Sequence, residues 1–193
     1  MNHKSTLTLE TERLILRRFK LEDLEQIFYN CWINHDVWKW TSYDPMNSID
    51  DILTLNNIFT DFWFAKYNRP DFYNWAVVLK SSGEVIGRLW GIHPDDRVCQ
   101  NELAYEIGPK WWNQGLMTEA VKAVIDFFFN EVGYNRIYAG HASGNPASGK
   151  VMQKCGMTHE GTMRQACKCN NGLFDNIIYA ILAEDYFGNR GYA

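Results

Sequence analysis

Apolar positions in the first third of the chain recur at helical spacing. In "LEDLEQIFYNCW", Leu21, Leu24, Ile27, Phe28 and Cys31 fall three or four apart, which predicts a helix. "SIDDILTLNNIFTDFWFAKY" repeats the period at Ile52, Leu55, Phe59, Phe62 and Trp63. It opens on Ser48 with Asp51 three residues on, an N-capping pair, and predicts a second helix. The stretch between, "INHDVWKWTSYDPMN", reads as a loop, and "RLILRRF" (13–19) ahead of both reads as a first strand. Then the period changes. "NWAVVLK" and "VIGRLWGIH" flank the turn "SSGE" and predict a β-hairpin, and "QNELAYEIG" adds a strand after the turn "PDDR". Helical spacing returns in "TEAVKAVIDFFFNEV", with Ala120, Val124, Phe127 and Phe128 on one stripe. "NRIYAGHAS" is a strand, and "NPASGKVMQKCG" a short helix with Pro146 at its start and Gly156 at its stop. "THEGTMRQACKC" and "LFDNIIYAIL" form a last hairpin around "NNG". The predicted order is β-α-α-β-β-β-α-β-α-β-β. It describes one domain over residues 1–193, mixed α/β, with a largely antiparallel central sheet flanked by helices.

Composition narrows the function classes. A chain of 193 residues is long enough to bury a real core. Eight Trp, ten Tyr and eleven Phe supply rings for that core or for the walls of a pocket. A net charge of −4 without any basic run speaks against a nucleic-acid partner held through its phosphates. The polar start "MNHKSTLTLETERL" carries no signal-like apolar stretch, and no apolar run nears the ~18 residues of a membrane span. Five cysteines, an odd number, do not make a closed disulfide framework. A reducing, cytoplasmic setting is the expectation. Cys155, His159, Cys167 and Cys169 lack the spacing of common zinc motifs, so no metal is expected. Cys167 and Cys169, two apart on a strand, share one face and suit packing.

The segment "WWNQGLMTEAV" carries the first chemical signal. Strand "ELAYEI" runs through "GPKWWNQG" into a helix that is expected to begin at Thr118. The first turn of a helix holds unpartnered N–H groups and the positive end of its dipole, which together bind phosphate. Gly115 lets backbone approach such an anion without a Cβ in the way, and Gln114 offers a neutral donor. A glycine used only for a turn fits equally well at this point. Neither G-x-G-x-x-G nor G-K-[ST] is present.

Thirty residues beyond Gly115 stands "NPASGKVMQKCGM". With "LETERLILRRF", "ELAYEI", "WWNQGLMTEA", "NPAS", "KCGM" and "EGTMR" in this order, the chain resembles the GNAT superfamily of acetyl-CoA-dependent N-acyltransferases. Within it the chain is most similar to the branch of ribosomal-protein N-terminal acetylases, over nearly its whole length. Three positions depart from the pattern. In the superfamily's pyrophosphate signature, [QR]-x-x-G-x-[GA], Trp112 takes the first place and Met117 the last. Tryptophan in the first place is common in that branch. Met157 replaces the usual aromatic, a change of core packing.

The resemblance implies roles. Trp112, Asn113, Gln114, Gly115, Leu116, Met117 and Thr118 form the loop whose backbone cradles the pyrophosphate of acetyl-CoA. Ile107 marks where the strand parts from its neighbour and pairs with the pantetheine arm. Asn145 bonds the pantetheine region, Ser148 lies near the sulfur, and Lys154 meets the adenosine phosphate. The reaction is direct attack of an amine on the thioester. An amine is largely protonated near neutral pH, so it needs a base. Ser148 is the candidate acid. Glu102 and Glu106, four apart and therefore on one face of a strand, are candidate bases, with Glu102 slightly preferred as the match to the family's strand glutamate. Glu160 is a rival and Asp175 a weaker option. His141 reads as structural. The acceptor is an amine, either a protein N-terminus or a small molecule such as an antibiotic or polyamine. A non-catalytic acyl-CoA sensor is the alternative outside enzymes. Oligomeric state is left open.

Overall fold

A computed structural model describes residues 1–52 and 64–188, so the expected apolar positions Leu55, Phe59, Phe62 and Trp63 lie outside the described residues. Eight strands form one sheet: β1 (Leu9–Glu10), β2 (Leu14–Arg17), β3 (Asn74–Leu79), β4 (Val85–Asp95), β5 (Gln100–Ile107), β6 (Arg136–Ala142), β7 (Thr158–Cys169) and β8 (Gly172–Leu182). Their order is β1-β2-β3-β4-β5-β6-β8-β7. Every pairing is antiparallel except β5 with β6. The described helices are α1 (Asp23–Ile27), α2 (His35–Trp38), α3 (Leu116–Phe127), α4 (Pro146–Lys154) and α5 (Ala183–Gly188). Residues 49–52 and 64–66 are also helical. Both α1 and α3 run on into a wider π turn, at Phe28–Trp32 and Phe128–Val132.

Strand alternation divides the core into two layers. On β3, Trp75 and Val77 face one side and Ala76 and Val78 the other. The first side, with Leu14, Leu16, Leu89, Leu103 and Ile137, packs under Ala120, Val121, Val124 and Phe128 of the α3 segment. The second takes Leu24, Ile27, Phe28 and Trp32 of the α1 segment and Trp38 of α2. Of the stripes expected at helical period, Leu24, Ile27, Phe28 and Cys31 and the α3 residues are buried, whereas Leu21, ahead of α1, is exposed.

Some boundaries differ from expectation for local reasons. The predicted loop 33–47 contains α2, which Asn34 caps by accepting from the Asp36 N–H at 2.9 Å. The predicted cap at Ser48 is present in full. Its Oγ accepts from Asp51 N at 3.1 Å, and Asp51 Oδ2 accepts from Ser48 N at 2.9 Å. β1 and α5 have too few residues to show a period. α3 starts two residues before Thr118, because Leu116 and Met117 turn into the core.

The end of β5 is pressed against the α1 segment at Gly108. A Cβ there would overlap the Asn30 carbonyl oxygen and stand 2.9 Å from the Trp111 ring. Gly108→Ala must push two backbones apart, which costs about 1–3 kcal/mol. The urea midpoint should fall accordingly at an unchanged slope.

Candidate active site

β5 and β6 pair over three positions only: Gln100 with Arg136, Asn101 with Ile137, and Glu102 with Tyr138. Beyond them β5 stays with β4 as far as Ile107, and β6 stays with β8 as far as Ala142. The two strands part and leave a wedge between residues 103–107 and 139–142. Gly108 N donates to Ile86 O on β4 at 2.9 Å. Alternation therefore turns the Ile107 backbone groups the other way, into the wedge. The Ile107 carbonyl there accepts from Trp112 Nε1 at 2.7 Å.

The loop at the mouth of the wedge is left-handed at two positions, Asn113 (φ 59°) and Gly115 (φ 77°). Gly115 is the N-cap of α3, and no side chain caps the first turn. A Cβ on Gly115 would meet only Arg13 Nη2, at 3.7 Å. The glycine thus answers to its φ and to open space above it, not to crowding by the chain. Met117 is buried in the main core, as is Leu116, so the unusual residue of the signature packs inward and leaves the helix start clear. Gln114 is corrected in one respect. Its Nε2 donates to Lys110 O at 2.9 Å, so the amide holds the loop rather than facing a ligand. Thr118 turns its carbonyl to Cys155 Sγ. Arg13, which the sequence marked only as strand, braces the loop. Its Nη1 donates to Gln114 O at 3.0 Å and its Nε to Glu119 Oε2 at 2.7 Å.

Across the wedge, α4 begins at Asn145. The Asn145 Oδ1 accepts from Ser148 N at 3.4 Å as an N-cap, which leaves its Nδ2 for a ligand. Ser148 Oγ donates to the Tyr105 hydroxyl at 3.0 Å, and that hydroxyl donates to Ser148 O at 2.9 Å. Tyr105 escaped the sequence reading, although it stands in the "ELAYEI" motif. Lys154 is exposed two turns further along α4. His141 is buried, donates through Nδ1 to Ala142 O and stands so close to Gly149 that a Cβ there would overlap its ring, which fits a structural residue.

The glutamates separate by environment. Glu102 and Glu106 do share a face. Glu106 sits opposite Arg88 on β4 and accepts from Trp32 Nε1 at 2.7 Å. Burial pushes its carboxyl above the usual range, against the opposing pull of Arg88 and Trp32. Burial likewise lowers Arg88 to about 10. Arg88 lies over the Trp90 ring and donates to Asn74 Oδ1 at 2.8 Å. Glu102 stands beside Tyr138, with His93 Nδ1 3.4 Å from its carboxylate. Glu160 is gripped by Arg136 through two bonds of 2.6 and 2.5 Å, which holds its carboxyl below the usual range. Arg136 is the first residue of β6, so this pair sits at the closed end of the wedge. Asp175 Oδ1 accepts from Gln165 N at 2.9 Å, a bond within the last hairpin.

That hairpin meets the loop after α2. Asn170 Nδ2 donates to Trp38 O and to Tyr43 O at 3.1 and 2.7 Å, and Trp40 packs edge-on against Phe174 at 5.0 Å. In the segment "WKWTSY", Trp38 is core, Trp40 packs on the hairpin and Tyr43 is exposed. Cys167 and Cys169 share a face as expected, with sulfurs 3.2 Å apart. Among the described residues no group of three His, Cys, Asp or Glu side chains is placed to hold a metal. No described helix is long and apolar enough to cross a membrane.

Known proteins are similar to this chain in sequence and in fold. The acetyltransferase (GNAT) domain family matches residues 13–158. The uncharacterised N-acetyltransferase YoaA of Bacillus subtilis is 31% identical over 90% of this chain and 96% of its own length. The ribosomal-protein-S5-alanine acetyltransferase of Vibrio fischeri has the same fold, with a TM-score of 0.79 at 19% identity over 94% of this chain and 99% of that one. So does the spermidine N-acetyltransferase of Vibrio cholerae solved with CoA and spermine, with a TM-score of 0.74 at 20% identity over 91% of this chain and 99% of that one.

Proposed function

This chain belongs to the GNAT acetyltransferase family and is an N-acetyltransferase; we propose that it moves the acetyl group of acetyl-CoA to a primary amine by direct attack on the thioester. The observation that carries this reading is the parting of β5 from β6 beside an uncapped helix start. A wedge with an open strand edge suits the pantetheine arm, which pairs like a strand. The N–H groups of residues 113–118 suit a pyrophosphate. Lys154 is the candidate for the adenosine phosphate.

Each remaining step falls to a group near the wedge. The Ile107 amide polarises the thioester carbonyl and stabilises the tetrahedral oxyanion. Asn145 holds the arm in register. Glu106 takes the amine's proton through water. Its raised pKa lies nearer working pH than that of an ordinary carboxylate, which favours a general base. Glu102, in a more open place, is second. Glu160 already spends its charge on Arg136, so Glu160→Gln is expected to keep near-wild-type turnover with acetyl-CoA. Ser148 gives a hydrogen bond to the departing sulfur.

For the acceptor we favour a protein N-terminal amine. An α-amine, with a pKa of about 7.7–8.0, presents far more neutral nucleophile at pH 7 than an alkylamine near 10.4. A relative of known acceptor points the same way. The [ribosomal protein uS5]-alanine N-acetyltransferase of Escherichia coli is 30% identical over 88 residues, 46% of this chain. A polyamine is the second reading, favoured by the carboxylate of Glu106 beside the Trp32 indole. The test is acetyl-CoA-dependent thiol release over N-terminal peptides, polyamines and aminoglycosides. Turnover confined to peptides with a free N-terminus supports the first acceptor, and turnover confined to polyamines replaces it. No release with any amine would sink the catalytic reading.

A further inference from the structure

We propose that Tyr105 is a positioning residue for Ser148, turning its own proton onto Ser148 Oγ as the thiolate forms, so that Ser148 can turn its proton to the sulfur. The inference rests on the role given to Ser148 above and deepens it.

Tyr105 lies on β5 beyond the last pairing with β6, and Ser148 lies in the first turn of α4. Their two bonds, 2.9 and 3.0 Å, bridge elements 43 residues apart in sequence. The directions of these bonds follow from elementary chemistry. A carbonyl can only accept, and a hydroxyl has one proton. The Tyr105 proton is therefore on Ser148 O, and the Ser148 proton must be the one between the two hydroxyl oxygens. At rest Ser148 has no proton left for a ligand.

Sulfur changes this balance. If Ser148 alone swung its proton to a thiolate, two oxygens would face each other at 3.0 Å with no hydrogen between them. If Tyr105 swings as well, from the carbonyl to Ser148 Oγ, both contacts are kept. The carbonyl that is released sits in the first turn of a helix and has the N–H four residues on as a partner. A hydroxyl that receives a hydrogen bond also donates a stronger one. The chemistry balances without either hydroxyl losing its proton. The C–N bond forms, the C–S bond breaks with its electron pair left on sulfur, and the amine's proton goes to Glu106. Burial raises the Tyr105 phenol, which keeps it protonated throughout.

Tyr105→Phe keeps the ring and removes only the hydroxyl. The measurements are single-turnover acetylation of an alanine-initiated peptide and amine-free hydrolysis of acetyl-CoA, which breaks the same C–S bond. The expected loss in rate is about three- to tenfold, the worth of one hydrogen bond. CoA affinity by titration should stay at the wild-type value, and the melting temperature should fall by only the few degrees that the lost hydrogen bonds are worth. In a Ser148→Ala background the same change should cost nothing further. Equal losses in both backgrounds would overturn the proposal, because Tyr105 would then act without Ser148. So would a wild-type rate for Tyr105→Phe, or a loss confined to CoA affinity. A Ser148→Ala variant at full rate would remove both the serine's role and the relay. Intact CoA titration in that variant would leave the cofactor reading standing.

Discussion

Gly115→Glu is expected to remove most of the stabilisation of the protein by acetyl-CoA while lowering its unliganded melting temperature by only a few degrees. Two effects act on the ligand. Any side chain at φ 77° is forced into the left-handed region, at a cost of roughly 1–2 kcal/mol that shifts the loop. A carboxylate also takes the place of phosphate at the positive end of α3, worth up to about 2 kcal/mol in a partly buried geometry. The charge alone amounts to up to about 2 kcal/mol, roughly thirtyfold in Kd, and any shift of the loop adds to it. The backbone strain falls on the unliganded fold as well, where the favourable place of a negative charge at a helix N-terminus offsets part of it. No chain atom lies within 3.7 Å of the new Cβ. Gly115→Asn separates the two effects, since asparagine tolerates the left-handed region and adds no charge. It should retain most of the acetyl-CoA shift. Thermal melts with acetyl-CoA, NADH and ATP make the comparison, and only acetyl-CoA is expected to shift the native protein. An undiminished shift in Gly115→Glu would remove this loop from the cofactor site.

Glu106→Gln is expected to produce the largest loss of turnover. Removing a general base costs about a hundredfold or more. Acetyl-CoA KM should hold, because Glu106 faces the side of the sheet away from α3 and its loop. The pH profile gives the sign. Glu106 must be ionised to accept a proton, and burial raises its pKa. Native activity is therefore present above that raised pKa and lost as pH falls through it, at a pH above the ~4.3 of a free glutamate. In Glu106→Gln that dependence disappears and only the acceptor's own protonation remains. Glu102→Gln should change the rate far less. If Glu102→Gln is the crippled variant and Glu106→Gln is not, the base is the other residue.

Local regularities were legible in the chain. Among the described residues the apolar periods placed the longer strands and helices, and the α3 segment's stripe of Ala120, Val124, Phe127 and Phe128 is buried as its spacing implied. The Ser48–Asp51 cap, Pro146 at a helix start and Gly156 at a stop depend on bonds within a few residues, so spacing alone finds them. The spaced motifs reached the family because each of them is a short run of local sequence. Met117 resolved simply: its backbone serves the loop and its side chain serves the core.

The choice among the glutamates was not legible. Glu102, Glu106 and Glu160 look alike as letters, and strand alternation correctly put the first two on one face. Their difference comes from partners far along the chain: Trp32 and Arg88 for Glu106, and Arg136 for Glu160. Sequence reasoning ranked Glu102 ahead of Glu106, and we prefer Glu106 on the ground of its burial. The Tyr105–Ser148 bridge and the Arg13 brace on Gln114 were equally invisible, for the same reason. Spacing within a segment sets which face a residue takes. Only the register between distant strands, and the point where β5 leaves β6, sets what that face meets. Burial and charge at a site are sums over those distant partners, so the chain by itself determined the elements, the loop and the family, and the tertiary structure decided which side chains are buried and which charges they meet.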